Sequence, residues 1–162
     1  MKNLLIFVWI INPVFAQSNS YHLNITIVID NQIIMGESIS EGTFVFGSKK
    51  MDFEYITGEI VLSEKDFEKL NSVDQNLDLI IEFKYRRIND GFFERDYQIR
   101  TKISWINKSF AILKIYNFDN KKNWKAFLER EGYGFEIFQP SQSKILPRRK
   151  RFNQDEFLKV DE

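Results

Sequence analysis

The amino-acid sequence predicts a mainly β protein: a single antiparallel β-sandwich of about seven strands with one or two short helices. Apolar and polar residues alternate with a period of two along much of the chain after residue 20, as they do in strands with one buried face. Gly, Asn, Asp and Ser clusters interrupt that alternation at short intervals, as turns do. The chain has no cysteine, so packing rather than disulfides must hold it together.

The chain opens with Lys2 and an apolar run from Leu4 to Ile11, broken by Asn12 and Pro13 and followed by Val14, Phe15 and Ala16 before Gln17 turns polar. A membrane-spanning helix needs about 20 apolar residues, so this run is too short to span. A basic start, a short apolar stretch and a small residue at its end form the layout of a secretory signal peptide. Residues 1–16 are therefore expected to be removed after Ala16, leaving one domain over residues 17–140 and no transmembrane span in the mature chain.

The first strand follows, with Leu23, Ile25, Ile27 and Ile29 on one face. Further strands are expected over Thr43 to Gly47, Met51 to Val61, Leu77 to Ile88, Phe92 to Ile106, Phe110 to Phe118 and Tyr133 to Gln139. The best-specified pair flanks Asn89-Asp90-Gly91. Leu77, Leu79, Ile81, Phe83 and Tyr85 form one apolar face, and Phe93, Tyr97, Ile99, Ile103 and Trp105 the other. All are odd-numbered, so facing residues must sum to an even number and a two-residue turn is excluded. A three-residue loop with Gly91 at positive φ opposes Phe83 to Tyr97, Ile81 to Ile99, Arg86 to Glu94, Lys84 to Asp96 and Asp78 to Lys102. A five-residue loop, pairing Arg86 with Asp96 and Glu82 with Arg100, is the alternative.

One helix is expected over Glu64 to Leu70. Ser63 caps it, Asp66 completes a capping box, and Leu62 and Phe67 occupy the staple positions. A second is indicated by the spacing of Trp124, Phe127 and Leu128 before Gly132. From Pro140 the pattern dissolves, and residues 141–162 read as a flexible charged tail. Within it the basic run from Arg148 to Arg151 reads as solvated, since the acidic "NQDEFLKVDE" follows at once.

Lys plus Arg and Asp plus Glu both total 23, so no net field draws the protein toward nucleic acid or an anionic membrane. Phosphate-cradling glycine loops and calcium loops are missing from the sequence. The single histidine, His22, precludes a two-histidine metal site, and with no G-x-S-x-G elbow it reads as an exposed strand-end residue. No cofactor, metal ligand or catalytic residue is assigned. Asp52 with Glu54, and Glu94 with Asp96, lie two residues apart at glycosidase-like spacing, which sustains an acid-residue hydrolase as the alternative.

In "FAILKIYNF" both faces are apolar, with Phe110, Ile112, Tyr116 and Phe118 on one side and Ala111, Leu113 and Ile115 on the other. A half-exposed strand has no such pattern, so either Trp124 to Phe138 covers the second face or a partner does. Phe110, Ile112, Tyr116 and Phe118 are thus the candidate partner-binding residues. The whole resembles small exported sandwiches of immunoglobulin-like or transthyretin-like architecture, a likeness of fold that carries no function. The expectation is a non-enzymatic binding or assembly module of the bacterial envelope, periplasmic or at the cell surface, with an envelope protein or a glycan as partner. A surface carbohydrate binder displaying Phe92, Phe93 or Trp105 is a further alternative.

Overall fold

A computed structural model describes residues 20–87, 93–107, 110–129 and 131–149. The proposed signal segment, the Asn89-Asp90-Gly91 turn with Phe92, and the chain beyond residue 149 lie outside the described residues. The fold is mainly β, but the expectation of one seven-stranded antiparallel sandwich is corrected: among the described residues twelve strands form three sheets.

β1 (Ser20–Leu23), β7 (Glu59–Ser63) and β6 (Glu54–Ile56) form the first sheet, in the order β1-β7-β6. The second has the order β12-β11-β10-β2-β3, from β12 (Gln142–Lys144), β11 (Tyr133–Gln139), β10 (Ala111–Asn117), β2 (Ile25–Ile29) and β3 (Gln32–Ile33). The third has the order β5-β4-β8-β9, from β5 (Lys49–Asp52), β4 (Ile39–Phe46), β8 (Asp78–Arg87) and β9 (Phe93–Lys102).

Three of the extra strands come from two bent runs, and β3 and β12 are the others. Alternation passes unbroken through Leu23 and Ile25, yet at Asn24 the chain leaves β7 and joins β10. Similarly Lys49 to Ile56 breaks at Phe53, passing from the third sheet to the first, and a turn at Thr57-Gly58 then separates β6 from β7. Gly58 supplies the positive φ of that turn. Side-chain alternation reports which face is buried and is blind to a change of pairing partner.

The second sheet is also not purely antiparallel, because β10 runs parallel to β2. This explains the doubly apolar segment: β10 lies between β2 and β11, and a parallel strand covered on both faces has an apolar side chain at nearly every position. Ala111, Leu113 and Ile115 enter the main core with Ile25, Ile27, Phe44, Leu79, Ile81 and Ile99. Tyr116 and Phe118 form a second cluster on the opposite face with Phe127, against which Leu146 packs.

The β8–β9 register is the one that parity and charge favour, with Phe83 opposite Tyr97, Lys84 opposite Asp96, Arg86 opposite Glu94 and Asp78 opposite Lys102. Ile103 and Trp105 are not in β9, however; they belong to a 3₁₀ turn, Ile103–Trp105. The first helix, α1 (Glu64–Ser72), starts at Ser63, whose hydroxyl accepts the Asp66 N–H. It leads from the first sheet to the third, and Leu70 and Phe67 seal it to the core. The second, α2 (Lys121–Ala126), ends one residue before Phe127.

The chain does not leave the fold at Pro140. β12 pairs with β11, Arg148 bridges to Phe127, and the Arg149 N–H donates to the Ala126 carbonyl at 3.0 Å. The start of the segment expected as a tail is thereby packed: Arg148 is ion-paired to buried Glu136, and Arg149 Nε donates to the Phe127 carbonyl at 2.7 Å. A local surplus of charge reads as solvated only when no buried acid waits for it.

Candidate ligand-binding cavity

Where β2 turns into β3, Ile29 faces Gln32, so the loop is the two residues Asp30 and Asn31. Both are left-handed, at φ 51° and 66°. Asp and Asn tolerate this better than other L residues, and two such positions are what a tight I′ hairpin demands. The turn aims the Asp30 carboxylate at the end of β10. It accepts the Asn117 N–H at 2.9 Å, Asn117 Nδ2 at 3.0 Å and, from α2, Asn123 Nδ2 at 2.6 Å.

Asn117 is buried and passes the network on. Its Oδ1 accepts from Arg95 Nη1 at 2.6 Å and from the Tyr97 hydroxyl at 2.9 Å. Arg95 completes its fork on Asp119, with Nη2 2.9 Å from Oδ2. The β2–β3 turn, β9 and the consecutive elements β10 and α2 are thus tied together by polar groups that satisfy one another, as burial requires. Burial holds the Tyr97 hydroxyl far above its ordinary value of 10.0, because the phenolate would be stranded in the interior.

Beside this network lies a cavity of about 540 Å³, lined among others by Asp30, Asn31, Gln32, Tyr85, Arg87 and Phe93. Asn120 and Lys122 also line it. The volume lies within the range of small-ligand sites, about 300–1,000 Å³. Tyr85 and Phe93 meet edge to face with centroids 6.2 Å apart, and the guanidinium carbons of Arg87 and Arg95 stand 5.8 and 5.6 Å from the Phe93 centroid. Burial also raises the Tyr85 hydroxyl, with the Arg87 charge opposing the shift. A larger depression, about 650 Å³, lies between Met35, Ile56 and the acids Glu37, Glu41 and Glu54, and it lacks the amide groups that crowd the first.

The residues singled out from sequence fall elsewhere. Phe110 is 45% exposed and Ile112 half-buried, whereas Tyr116 and Phe118 are only 5% and 2% exposed. The chain itself covers that face. Tyr116 packs on Phe127 at 4.6 Å and donates to Glu136 at 2.8 Å. Gly134 lets the layers close, since a Cβ there would lie 2.7 Å from Leu146 and 2.8 Å from Phe118. Among the aromatic residues named for sugar binding, Phe93 lies on the cavity wall, Trp105 sits half-buried in the 3₁₀ turn, and Phe92 is outside the described residues.

One acid of each candidate pair has a partner. Asp52 accepts from Thr43 Oγ1 at 3.2 Å, and Glu94 is 2.5 Å from Arg86 Nε. Lys84 turns away from Asp96 to reach Glu41, 3.1 Å away. His22 has Glu59 Oε2 2.7 Å from Nδ1 and Ser20 Oγ 3.4 Å from Nε2, the connectivity of a hydrolytic triad. All three side chains are exposed on the paired strands β1 and β7. Among the described residues no cluster of acids or histidine could hold a metal ion, and no helix is long and apolar enough to cross a membrane.

No protein-family model matches the chain, no curated protein matches it, and no solved structure matches it. What bears on function is therefore the chemistry of the cavity. Its residues escaped the sequence reading because Asp30, Asn117 and Asn123 each read locally as turn formers. The signal available was the density of Asn and Asp at both Asp30-Asn31 and Asn117 to Asn123.

Proposed function

We propose that the protein is an exported, non-enzymatic binding module of the cell envelope that holds a hydroxyl-rich ligand, a glycan, in the cavity between Asp30 and Phe93. The supporting observation is the division of labour among its polar groups. The carboxylates of Asp30 and Asp119 are consumed by Asn117, Asn123 and Arg95. The side chains of Asn31 and Gln32 and the Tyr85 hydroxyl make no hydrogen bond to any described residue. Amides and hydroxyls with spare valence, beside an aromatic wall, suit the donors and acceptors of a sugar.

This arrangement favours binding over hydrolysis, because the carboxylates of Asp30 and Asp119 are already taken as acceptors by Asn117, Asn123 and Arg95. It also favours the cavity over strand addition. The exposed edge of β9 is occupied midway by Tyr133, whose hydroxyl accepts the Gln98 N–H at 2.7 Å and donates to the Gln98 carbonyl at 3.0 Å. Charged side chains at Glu94, Asp96, Arg100 and Lys102 flank that point, a pattern that discourages pairing with another strand.

A glycan array probed with the purified protein, followed by NMR titration of its hits, tests the reading. Expected are shifts confined to Asn31, Gln32, Tyr85 and Asn120, with affinity lost in Asn31→Ala/Gln32→Ala. Hits that bind with shifts elsewhere, or an array with none, overturn it. N-terminal sequencing of protein from fractionated cells tests export, for which a chain beginning at Gln17 in the envelope fraction is expected.

A further inference from the structure

The two signs of charge around this cavity are not treated alike. Its acids are held within the fold: Asp119 is ion-paired to Arg95, and Asp30, which keeps its charge, accepts three N–H bonds from Asn117 and Asn123. Its cations Arg87 and Lys122 are not: neither side chain has a hydrogen bond or ion pair with any described residue. Arg87 Nε is moreover buried without an acceptor. A buried guanidinium N–H without a partner is costly and rare in folded proteins. Such a group is retained where a ligand completes it. The Phe93 ring, 5.8 Å from the Arg87 guanidinium carbon and 5.6 Å from that of Arg95, supports both groups. Arg95 is spent on Asn117 and Asp119, which leaves Arg87 as the open fork.

We infer that the cavity selects an acidic sugar, a uronic-acid residue whose carboxylate seats on the Arg87 guanidinium with Lys122 as the second positive charge. This inference rests on the glycan reading above and narrows it. A planar carboxylate matches a guanidinium fork with two parallel N–H···O bonds, which an ammonium ion cannot offer. The amides of Asn31 and Gln32 and the Tyr85 hydroxyl, with Asn120 Nδ2 beside them while Asn120 Oδ1 caps α2, are left for the ring hydroxyls. With Asp119 paired to Arg95, the charges left at the site are Arg87 and Lys122 against the single carboxylate of Asp30, so the balance is positive.

The test is calorimetric titration of the protein with methyl glucuronoside, with methyl glucoside, which has the same ring without the charge, and with inorganic phosphate. The glucuronoside is expected to bind at least about tenfold more tightly than the glucoside, with affinity falling as salt is raised. Arg87→Ala should abolish that preference while leaving glucoside binding in place, and Arg87→Lys should restore only part of it. Lys122→Gln, an exposed change that leaves the fold alone, should weaken the glucuronoside severalfold. Equal binding of the two sugars overturns the inference and leaves the glycan reading standing, whereas binding of neither overturns both. Phosphate bound as tightly as the glucuronoside marks a bare anion site and also overturns the inference.

Discussion

Arg148 Nη2 stands 2.9 and 3.1 Å from the two carboxylate oxygens of Glu136, whose side chain is fully buried. The same carboxylate accepts the Tyr116 hydroxyl at 2.8 Å and the Leu146 N–H at 3.2 Å. Four hydrogen bonds thus hold one acid, and through it the segment after Pro140 is fastened to β11. Removing Arg148 leaves the charge buried with two neutral donors, which is more costly than removing both charges. Arg148 is itself 53% exposed, so the loss is set at the lower end of the buried range. Arg148→Ala is expected to cost about 2 kcal/mol by urea denaturation, with faster hydrogen exchange at Leu146. Adding Glu136→Gln should recover part of that loss; a double variant no more stable than the single would show that the pair's charge is irrelevant.

Asp30 does for the opposite end of the second sheet what Glu136 does here. Its carboxylate is the shared acceptor for Asn117 and Asn123, two side chains buried against it. Asp30→Ala removes three acceptor contacts at once and places alanine at φ 51°, a conformation it tolerates less well than Asp does. A loss of about 3 kcal/mol is expected, with most of the damage in α2 and at the end of β10 by hydrogen exchange. Asp30→Asn keeps one acceptor and the turn preference and should cost about half as much. Equal costs for the two variants would mean that the turn, not the network, sets stability.

How much of this was legible depended on range. Phe83 opposite Tyr97 could be read because parity and charge constrain a hairpin locally. The capped start of α1 was readable at Ser63 for the same reason. Asn24 hid the bend between two sheets, since Leu23 and Ile25 keep the same parity on either side of it. The doubly apolar β10 announced that both its faces were covered, but the cover includes Leu146, in a stretch that reads as tail. Asp30 meets Asn117 and Asn123 across 87 and 93 positions, and no local pattern encodes such a meeting. Arg87 offered no signal, because a charged residue at a strand end ordinarily faces water.

The buried tyrosines make alkaline stability a readout of the core. Tyr97, Tyr85 and Tyr116 are all raised above the ordinary 10.0, each chiefly by burial; at Tyr116 the bond to Glu136 adds to the shift. A folded value above the unfolded one means that the contribution to stability is complete below pH 10 and drains away as pH climbs past it. Of the six tyrosines, these three should ionise late. Absorbance at 295 nm is expected to show the ionisation of these three arriving together with loss of tertiary circular dichroism. Tyr97→Phe should shrink that step. A Tyr97 phenol that ionises near pH 10 while the protein stays folded would contradict its packing against Tyr133.

At acid pH the corresponding group is Asp66. Its carboxylate accepts Lys69 Nζ at 2.7 Å and the Ser63 hydroxyl at 2.8 Å, and both bonds pull it below the ordinary 3.8, Lys69 most strongly. The sign is opposite to that of the tyrosines: a depressed value gives stability that is complete above pH 3.8 and is lost as pH falls through the lower folded value. Ser63 also accepts the Asp66 N–H at 3.2 Å, so the two residues cap α1 reciprocally, although Asp66 meets the Ser63 hydroxyl where a longer Glu would reach the backbone N–H. Ser63→Ala is expected to cost about 1 kcal/mol at pH 7. Asp66→Asn should cost less, and the gap between it and the parent should close between pH 4 and pH 2 in urea titrations. A gap that persists at pH 2 would show that the cap works through shape and not through charge.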